Sequence, residues 1–142
     1  MSVKIWDPDQ LTVMCALVPI GGFAEGSMVE IKKSTPRFSS KTGTTGEKVR
    51  SKSLDKGATI TIRLMQTSAS NDILAAIAIA DSLAPNGAGI FPVMIRDRSG
   101  RAIYSGAEAW IIDQPDAVFD ASAKEREWKI EVAELDDFTG GS

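Results

Sequence analysis

Residues 57–74 read GATITIRLMQTSASNDIL, and this stretch carries the clearest structural signal in the chain. Its first half alternates apolar with polar side chains, which is the period of a strand that buries one face. The apolar set is Ile60, Ile62 and Leu64, and the polar set is Thr59, Thr61 and Arg63. The alternation therefore predicts a central strand with one face in the core.

The second half of the stretch predicts that this strand runs directly into a helix. Ser68 is a residue type that caps helices, and Asp72 places a negative charge in the first turn. An apolar stripe at helical spacing follows, formed by Ile73, Ile77, Ala80 and Ala84. Pro85, Asn86 and Gly87 then end the pattern. We expect one helix, packed through Ile73, Leu74 and Ile77 on a mostly β body.

Length and composition bound the class of protein. The 142 residues fit a single domain spanning 1–142, and a domain of this size buries about 70% of its unfolded surface. The lone Cys15 excludes an intramolecular disulfide and is expected to be a small core residue in a reducing compartment. The amino terminus lacks an apolar signal-peptide core, and the apolar run at 13–20 is too short to span a bilayer. We expect a soluble cytoplasmic product with no membrane partner.

Charge is distributed unevenly along the chain. The net charge is −3, but residues 32–56, the basic block, hold eight basic and two acidic residues for +6. Residues 108–142, the acidic block, hold ten acidic and three basic residues for −7. The blocks are either two solvated faces or a self-complementary, head-to-tail contact between copies. Nucleic-acid binding is less favoured, because Phe38 is the only aromatic residue of the basic block.

Residues 39–53, SSKTGTTGEKVRSKS, form a segment that we call the arm. The arm is rich in Gly, Thr and Lys and poor in core residues, so it is expected to be an exposed loop or a long, flexible hairpin. A segment of this kind is functional or disordered, and ordering it costs free energy that a partner must supply.

Further strands are predicted at residues 11–18, 28–33, 90–95, 102–112 and 125–135. The first two are expected to form a hairpin across a turn at Pro19, Gly21 and Gly22, and the next two form another across residues 98–101. The last strand alternates, with Trp128, Ile130 and Val132 on its apolar face. Residues 136–142, DDFTGGS, are expected to be a mobile tail.

Several kinds of chemistry are excluded or weakly supported. The chain has no histidine, which removes the commonest general base and most zinc sites. The glycines at 21–27 lack a following lysine and those at 43–48 have the wrong spacing for a phosphate loop. Asp113, Asp116 and Asp120 are a weak cation site, paired carboxylates or, as we favour, solvated turn residues. We therefore predict no enzyme, no cofactor and no metal.

A series of motifs, taken in order, resembles the tail tube proteins of contractile-tailed bacteriophages over nearly the whole chain. The motifs are Gly22-Phe23-Ala24-Glu25-Gly26, Gly46-Glu47 in the arm, Gly57 with TITIRLMQ at 59–66, then Ser68, Asn71 and Asp72, Trp128 within EREWKIEV at 125–132, and Gly140-Gly141. One departure is the Lys32-Lys33 pair, which a Thr/Lys-rich arm follows.

The resemblance implies a small β-sandwich or barrel flanked by one helix. Six copies would close into a ring, and rings would stack into a hollow tube that carries DNA into the host inside a contractile sheath. The implied partners are further copies, the sheath, baseplate and tail-terminator proteins, and a tape measure protein and DNA in the lumen. The protein would belong to a virion tail assembled in the bacterial cytoplasm. Alternatives are a tube subunit of a phage-derived bacteriocin or injection system, another component of the same machine, and a monomeric β-barrel binding module.

On this interpretation particular residues receive roles. The inter-ring assembly arm would use Lys41, Thr42, Gly43, Gly46, Glu47, Lys48 and Arg50. The helix cap and packing set is Ser68, Asn71, Asp72, Ile73 and Ile77, and the core strands carry Ile60, Ile62, Leu64, Trp128 and Ile130. Polar and acidic side chains such as Thr59, Thr61 and Glu30 are candidates for the inner wall, because basic groups would retain DNA. Arg63 would need an acidic neighbour there.

Overall fold

The computed structural model describes residues 3, 5–26, 28–83, 89–98 and 100–141. Its strands are β1 (Leu11–Cys15), β2 (Val18–Ile20), β3 (Val29–Lys33), β4 (Phe38–Thr42), β5 (Lys48–Lys52), β6 (Ala58–Met65), β7 (Phe91–Asp97), β8 (Ile103–Asp113), β9 (Glu125–Val132) and β10 (Asp136–Phe138). Helix α1 spans Ser70–Leu83, and a 3-10 turn at Pro8–Gln10 precedes β1. The fold is mainly β with one helix, as predicted.

Eight of the strands form one antiparallel sheet in the order β2-β1-β7-β8-β9-β6-β3, with β10 beside β8. β6 is next to the edge strand β3, so its predicted central place in the sheet was wrong. The segment after β2 also reaches β6, because Phe23 forms a bridge with Leu64 and the Ala24 N–H donates to the Arg63 carbonyl at 3.0 Å. The sheet thus curls back on itself, which brings its two ends together.

The core lies inside this curled sheet. Ile60, Ile62 and Leu64 are completely buried, as their alternation predicts, and on β9 Trp128 and Ile130 are buried beside them. β1 and β7 bury the other half of the core through Val13, Cys15, Val93 and Ile95. Burial raises the pKa of the Cys15 thiol to about 12, so the thiol stays protonated at neutral pH.

The start of α1 is tied to the turn after β2. The helix begins at Ser70, two residues after Ser68, whose Oγ accepts from the Ser70 N–H at 3.2 Å and donates to the Gly21 carbonyl at 2.6 Å. The Ser70 Oγ in turn accepts from the Gly21 N–H at 2.9 Å. Gly22 has φ +74°, and a Cβ there would lie 2.5 Å from the Ser68 Oγ. Only glycine fits this close contact.

Asn71 joins three elements through its side-chain amide. Its Nδ2 donates to the carbonyls of Met65 and Ser68 at 3.0 and 3.1 Å. Its Oδ1 accepts from the Trp128 Nε1 at 2.9 Å. Because Trp128 is buried, this bond supplies the acceptor that its indole N–H needs. Asn71 therefore fixes the first turn of α1 against the end of β6 and the middle of β9.

The buried line of α1 differs from the predicted stripe. Ser70, Leu74 and Ala78 are buried at a spacing of four, whereas Ile73 and Ile77 are only partly buried and flank that line. The predicted Ala80 is exposed. Ala84 and the predicted stop at 85–87 lie outside the described residues. Among the described residues no helix is sufficiently long and apolar to cross a membrane.

The predicted first hairpin was wrong. β1 ends at Cys15, and Ala16 and Leu17 form the turn with φ 54° and 64° before β2 returns beside β1. Pro19 lies within β2, an edge strand where its missing N–H is tolerated. The segment predicted at 28–33 becomes β3 and pairs with β6 at the far end of the sheet. A two-residue turn of this kind normally uses Gly or Asn, which is why its position was missed.

The carboxyl-terminal half agrees better with the prediction. β7 and β8 form the expected hairpin, although Ser99 of its turn lies outside the described residues. β9 ends at Val132 rather than at 135, because the Leu135 N–H turns to donate to the Lys56 carbonyl. The prediction of a mobile tail was wrong for 136–141. β10 pairs with β8, and the Tyr104 hydroxyl bonds the Thr139 hydroxyl at 2.8 Å.

We predict that the stability lost on placing a charge on α1 increases with the burial of the substituted residue. Leu74→Asp buries an unpaired charge, so we expect it to lower the free energy of unfolding by about 4 kcal/mol or more. Ile77→Asp, at a partly buried site, costs about 1–2 kcal/mol, and the matched control Ile79→Asp, at a site 58% exposed, changes it by less than about 0.5 kcal/mol. Urea unfolding monitored by tryptophan fluorescence gives the order, and equal losses at 77 and 74 would contradict this packing.

Candidate assembly surface

The arm is a two-stranded antiparallel hairpin that leaves the main sheet. β4 and β5 pair in the register Phe38↔Lys52, Ser40↔Arg50 and Thr42↔Lys48. Of the two predicted forms, loop and hairpin, the structure shows the hairpin. Every residue of both strands is exposed. An isolated two-stranded hairpin is at best marginally stable in water, so these contacts alone do not hold the arm firmly.

The tip of the arm explains its two glycines. The Gly43 N–H donates to the Glu47 carbonyl at 2.7 Å, and the Gly46 N–H donates to the Gly43 carbonyl at 3.0 Å. Gly46 has φ +88°, a left-handed conformation that costs other residues about 1 kcal/mol or more. Gly43, Gly46 and Glu47 thus build the turn.

The arm has two chemically different faces. Directly opposed residues on paired strands share a face, so the register defines the composition of each face. The face that we call the basic face carries Phe38, Ser40, Thr42, Lys48, Arg50 and Lys52, and the reverse face carries Ser39, Lys41, Val49 and Ser51. On the basic face the Arg50 guanidinium lies 4.3 Å from the centroid of the Phe38 ring. A count of charge by block does not reveal this sidedness, but the alternation of basic residues at 48, 50 and 52 indicates it.

Asp55 holds the base of the arm. Its Oδ2 accepts from the Thr35 Oγ1 at 2.6 Å, and its Oδ1 accepts from the Gly57 N–H at 2.8 Å. The Thr35 hydrogen bond, followed by the Gly57 bond, lowers the pKa of the Asp55 carboxyl below its ordinary 3.8. The Ser53 N–H also donates to the Arg37 carbonyl at 2.8 Å, which continues the ladder to the base.

A cavity of about 490 Å³ lies at this base. Its charged lining residues are Lys33, Arg37, Lys52, Lys56, Asp55, Asp136 and Asp137. The Lys33 Nζ lies 2.8 Å from the Asp137 Oδ2, so charges of both signs are partly neutralised in the wall. The mixed polarity of this lining is that of a contact surface.

The polar face of the main sheet carries a second group of charges. Arg63 lies between two carboxylates, 3.7 Å from Glu30 and 3.5 Å from Glu127. Thr61 is paired directly with Glu30 across the strands, and Thr59 is paired with Lys32. Arg63 therefore has the acidic neighbours that an inner-wall position would require, and this part of the face is balanced in charge.

The acidic residues do not form a metal centre. Among the described residues no group of three or more His, Cys, Asp or Glu side chains is placed to hold a metal ion. Asp120 instead accepts from the Ser122 N–H at 2.9 Å and lies 3.2 Å from the Lys124 Nζ. Asp113 pairs across the strands with Lys129.

A family model described as the bacteriophage PhiTE tail tube protein matches residues 17–140. The chain belongs to the phage tail tube family. A structural protein, ORF10, of Pseudomonas phage KPP10 is 30% identical over 141 residues, covering 95% of this chain and 82% of that protein. A tail tube protein is a structural component of the virion tail.

Solved structures agree with the family in fold. The sheath–tube complex of an extracellular contractile injection system, PVC, contains a chain with TM-score 0.64 at 12% identity, with 93% of this chain and 90% of that chain covered. The tube-terminating cap of the anti-feeding prophage gives TM-score 0.60 at 11% identity, with 98% and 95% covered. The sheath/tube terminator of PVC gives 0.59 at 12% identity, with 98% and 100% covered. The curled sheet with one helix is thus the fold of tube and terminator proteins.

The Asp55 contacts predict a specific titration in this tail tube protein. We expect the Gly57 amide shift, followed by NMR, to titrate with a midpoint below 3.8, because the hydrogen bonds favour the charged carboxylate. Because its pKa is lowered, the Asp55 carboxylate stabilises the base of the arm at pH values above the ordinary pKa. This stabilisation is lost as the pH falls through the pKa of the folded protein.

Two variants serve as controls for this titration. Thr35→Val removes the hydroxyl donor and raises the midpoint toward 3.8, whereas Asp55→Asn abolishes the titration. A wild-type midpoint at or above 3.8, or no change in Thr35→Val, would contradict the assignment of the lowered pKa to Thr35.

Proposed function

We propose that this chain is the tube subunit of a contractile phage tail. Six copies close into a ring, rings stack into a hollow tube inside a contractile sheath, and DNA passes through the lumen. The observation that carries the proposal is the arm, a hairpin exposed along both strands that leaves the body of a family member. Contacts within its own subunit give such an arm little stabilisation, so the arm is suited to a contact with the next ring.

The order of the strands also favours assembly. β2 and β3 end the sheet order, and a strand at the end of a sheet can pair with a strand of another chain. Pairing such strands around a closed ring leaves no edge open. The surface also exposes large apolar side chains, including Leu17, Leu54, Ile79, Leu83 and Phe119. The membership of a structural tail family and the arm exposed along both strands make a monomeric binding module the weaker interpretation.

The polar face around Thr59, Thr61, Glu30 and Arg63 is our candidate for the inner wall. DNA must slide through the lumen, and each uncompensated cation touching phosphate would add to its retention. Here Arg63 is flanked by Glu30 and Glu127, which offsets its charge. Tight, salt-sensitive retention of duplex DNA inside assembled tubes would count against this wall.

The remaining partners follow from the same assignment. Sheath, baseplate and tail-terminator proteins would contact the tube, and a tape measure protein would occupy its lumen before DNA does. Assembly would take place in the bacterial cytoplasm. A tube of a genome-free, phage-derived particle or injection system is the alternative, and the 30% identity to a phage structural protein favours the phage tail.

Deletion of residues 41–48 tests the role of the arm. This deletion removes the tip and the ends of both strands, where every side chain is exposed, so we expect an unchanged melting temperature. Long tubes are expected to disappear in negative-stain images, leaving single rings or subunits. Thr44→Ala with Thr45→Ala, which keeps the arm at full length, is the control and forms tubes like wild type. Tube growth in the deletion variant at the wild-type length would overturn the proposal for the arm.

A further inference from the structure

The two ends of the subunit carry surfaces of opposite charge. The basic face of the arm displays Lys48, Arg50 and Lys52 beside Phe38, with no acidic side chain on that face. Residues 113–120, DQPDAVFD, which we call the acidic loop, carry three aspartates and no basic residue. The acidic loop also holds Phe119, which is 75% exposed. Each surface thus combines charge of one sign with an aromatic ring.

The strand register places these two surfaces at opposite ends of the subunit. The arm leads into the start of β6, where Ala58 is paired with Val132 at the end of β9. The acidic loop precedes β9, whose first residue Glu125 is paired with Met65 at the end of β6. Seven residue steps along a strand separate the ends by about 23 Å. The arm and the acidic loop therefore join the β6–β9 pair at opposite ends, and among the described residues no ion pair links them within the subunit.

Both surfaces have charges that the rest of the subunit leaves uncompensated. Among the described residues, Lys48 and Lys52 on the arm have no ion pair within 4.0 Å, and neither has Asp116 in the acidic loop. Asp120, in contrast, is paired with Lys124. Asp116 is accordingly the charged group of the acidic loop that is available to a partner. The Phe119 ring beside it is exposed, with the Arg126 guanidinium 5.6 Å from its centroid.

We propose that the basic face of the arm of one copy docks on the acidic loop of the next copy. This inference rests on the proposed tube function and specifies which surfaces meet when rings stack. Arg50 and Lys48 would face Asp116. Because the contact joins different surfaces at opposite ends of the subunit, it is head-to-tail and repeats without closing, which gives a filament. Charge complementarity also sets the direction of stacking.

Nucleic acid is the competing occupant of a basic surface that contains an aromatic residue. Single-strand binding depends on aromatic faces that are free to stack with bases. Here Phe38 is the sole aromatic residue of the arm strands, and Arg50 already lies over its ring at 4.3 Å. The chain itself carries a surface of opposite charge, the acidic loop. A second copy is therefore the favoured occupant.

A charge-reversal series in the full chain tests the docking. Arg50→Glu and Asp116→Arg each place like charges in contact, so each is expected to abolish tubes longer than a few rings. The double variant Arg50→Glu/Asp116→Arg restores long tubes because the pair is reversed. Ser51→Glu, on the reverse face of the arm, also adds a negative charge to β5 and is expected to keep tube length. All variants alter exposed residues, and unchanged melting checks that they fold.

Cysteine cross-linking provides a second measurement that does not require tubes. Ser40→Cys protein, with the thiol on the basic face, is mixed with Ala117→Cys protein and oxidised at high concentration. We expect a disulfide-linked dimer, and far less of it when Ser39→Cys on the reverse face replaces Ser40→Cys. The native Cys15 is completely buried and does not compete.

The outcomes separate the docking from the tube function. If wild-type protein forms tubes but the single variants keep full length, or the double variant fails to restore it, the docking is wrong while the tube function stands. If wild-type protein forms no tubes, the tube function fails, and the cross-link decides the docking alone: a Ser40–Ala117 link supports it and its absence overturns it. Salt-sensitive binding of DNA that Arg50→Glu abolishes, with no Ser40–Ala117 link, would assign the basic face to nucleic acid.

Discussion

The pairing of β6 with β9 is the constraint on which the rest of the fold depends. Eight consecutive residue pairs join the two strands, from Ala58↔Val132 to Met65↔Glu125. On one side this pairing aligns buried Ile60, Ile62 and Leu64 with buried Trp128 and Ile130. On the other side it places Glu127 beside Arg63. Asn71 then anchors α1 to the same pair through Trp128. Core, polar face and helix position all follow from one register.

Local patterns were sufficient to predict the elements that bury one complete face. β6 and β9 alternate strictly, so the fold class and their core residues followed from sequence. Which strands pair with one another, when they are distant in sequence, could not be predicted from these local patterns. The β1 turn uses Ala16 and Leu17, which are not turn residues by type. β10 is held by backbone pairing with β8, which requires no particular side-chain pattern. The helix face shifted because Ser70, a polar residue, is buried by its bond to Gly21.

The candidate surface was predictable as a segment but not as a pair of faces. The composition of residues 39–53 identified an exposed arm. The sidedness of the arm depends on the β4–β5 register, which puts Lys48, Arg50 and Lys52 together. Its distance from the acidic loop depends on the antiparallel β6–β9 pairing. Both are consequences of strand pairing in the folded chain.

In the proposed tube, the arm is held in place mainly by contacts with the neighbouring subunit. Hydrogen–deuterium exchange of the arm in isolated subunits and in assembled tubes measures this directly. We predict that peptides covering residues 38–52 exchange rapidly in the isolated subunit and become strongly protected in the tube, while peptides covering residues 58–65 are protected in both. Equal exchange of the arm in the two states would contradict the claim.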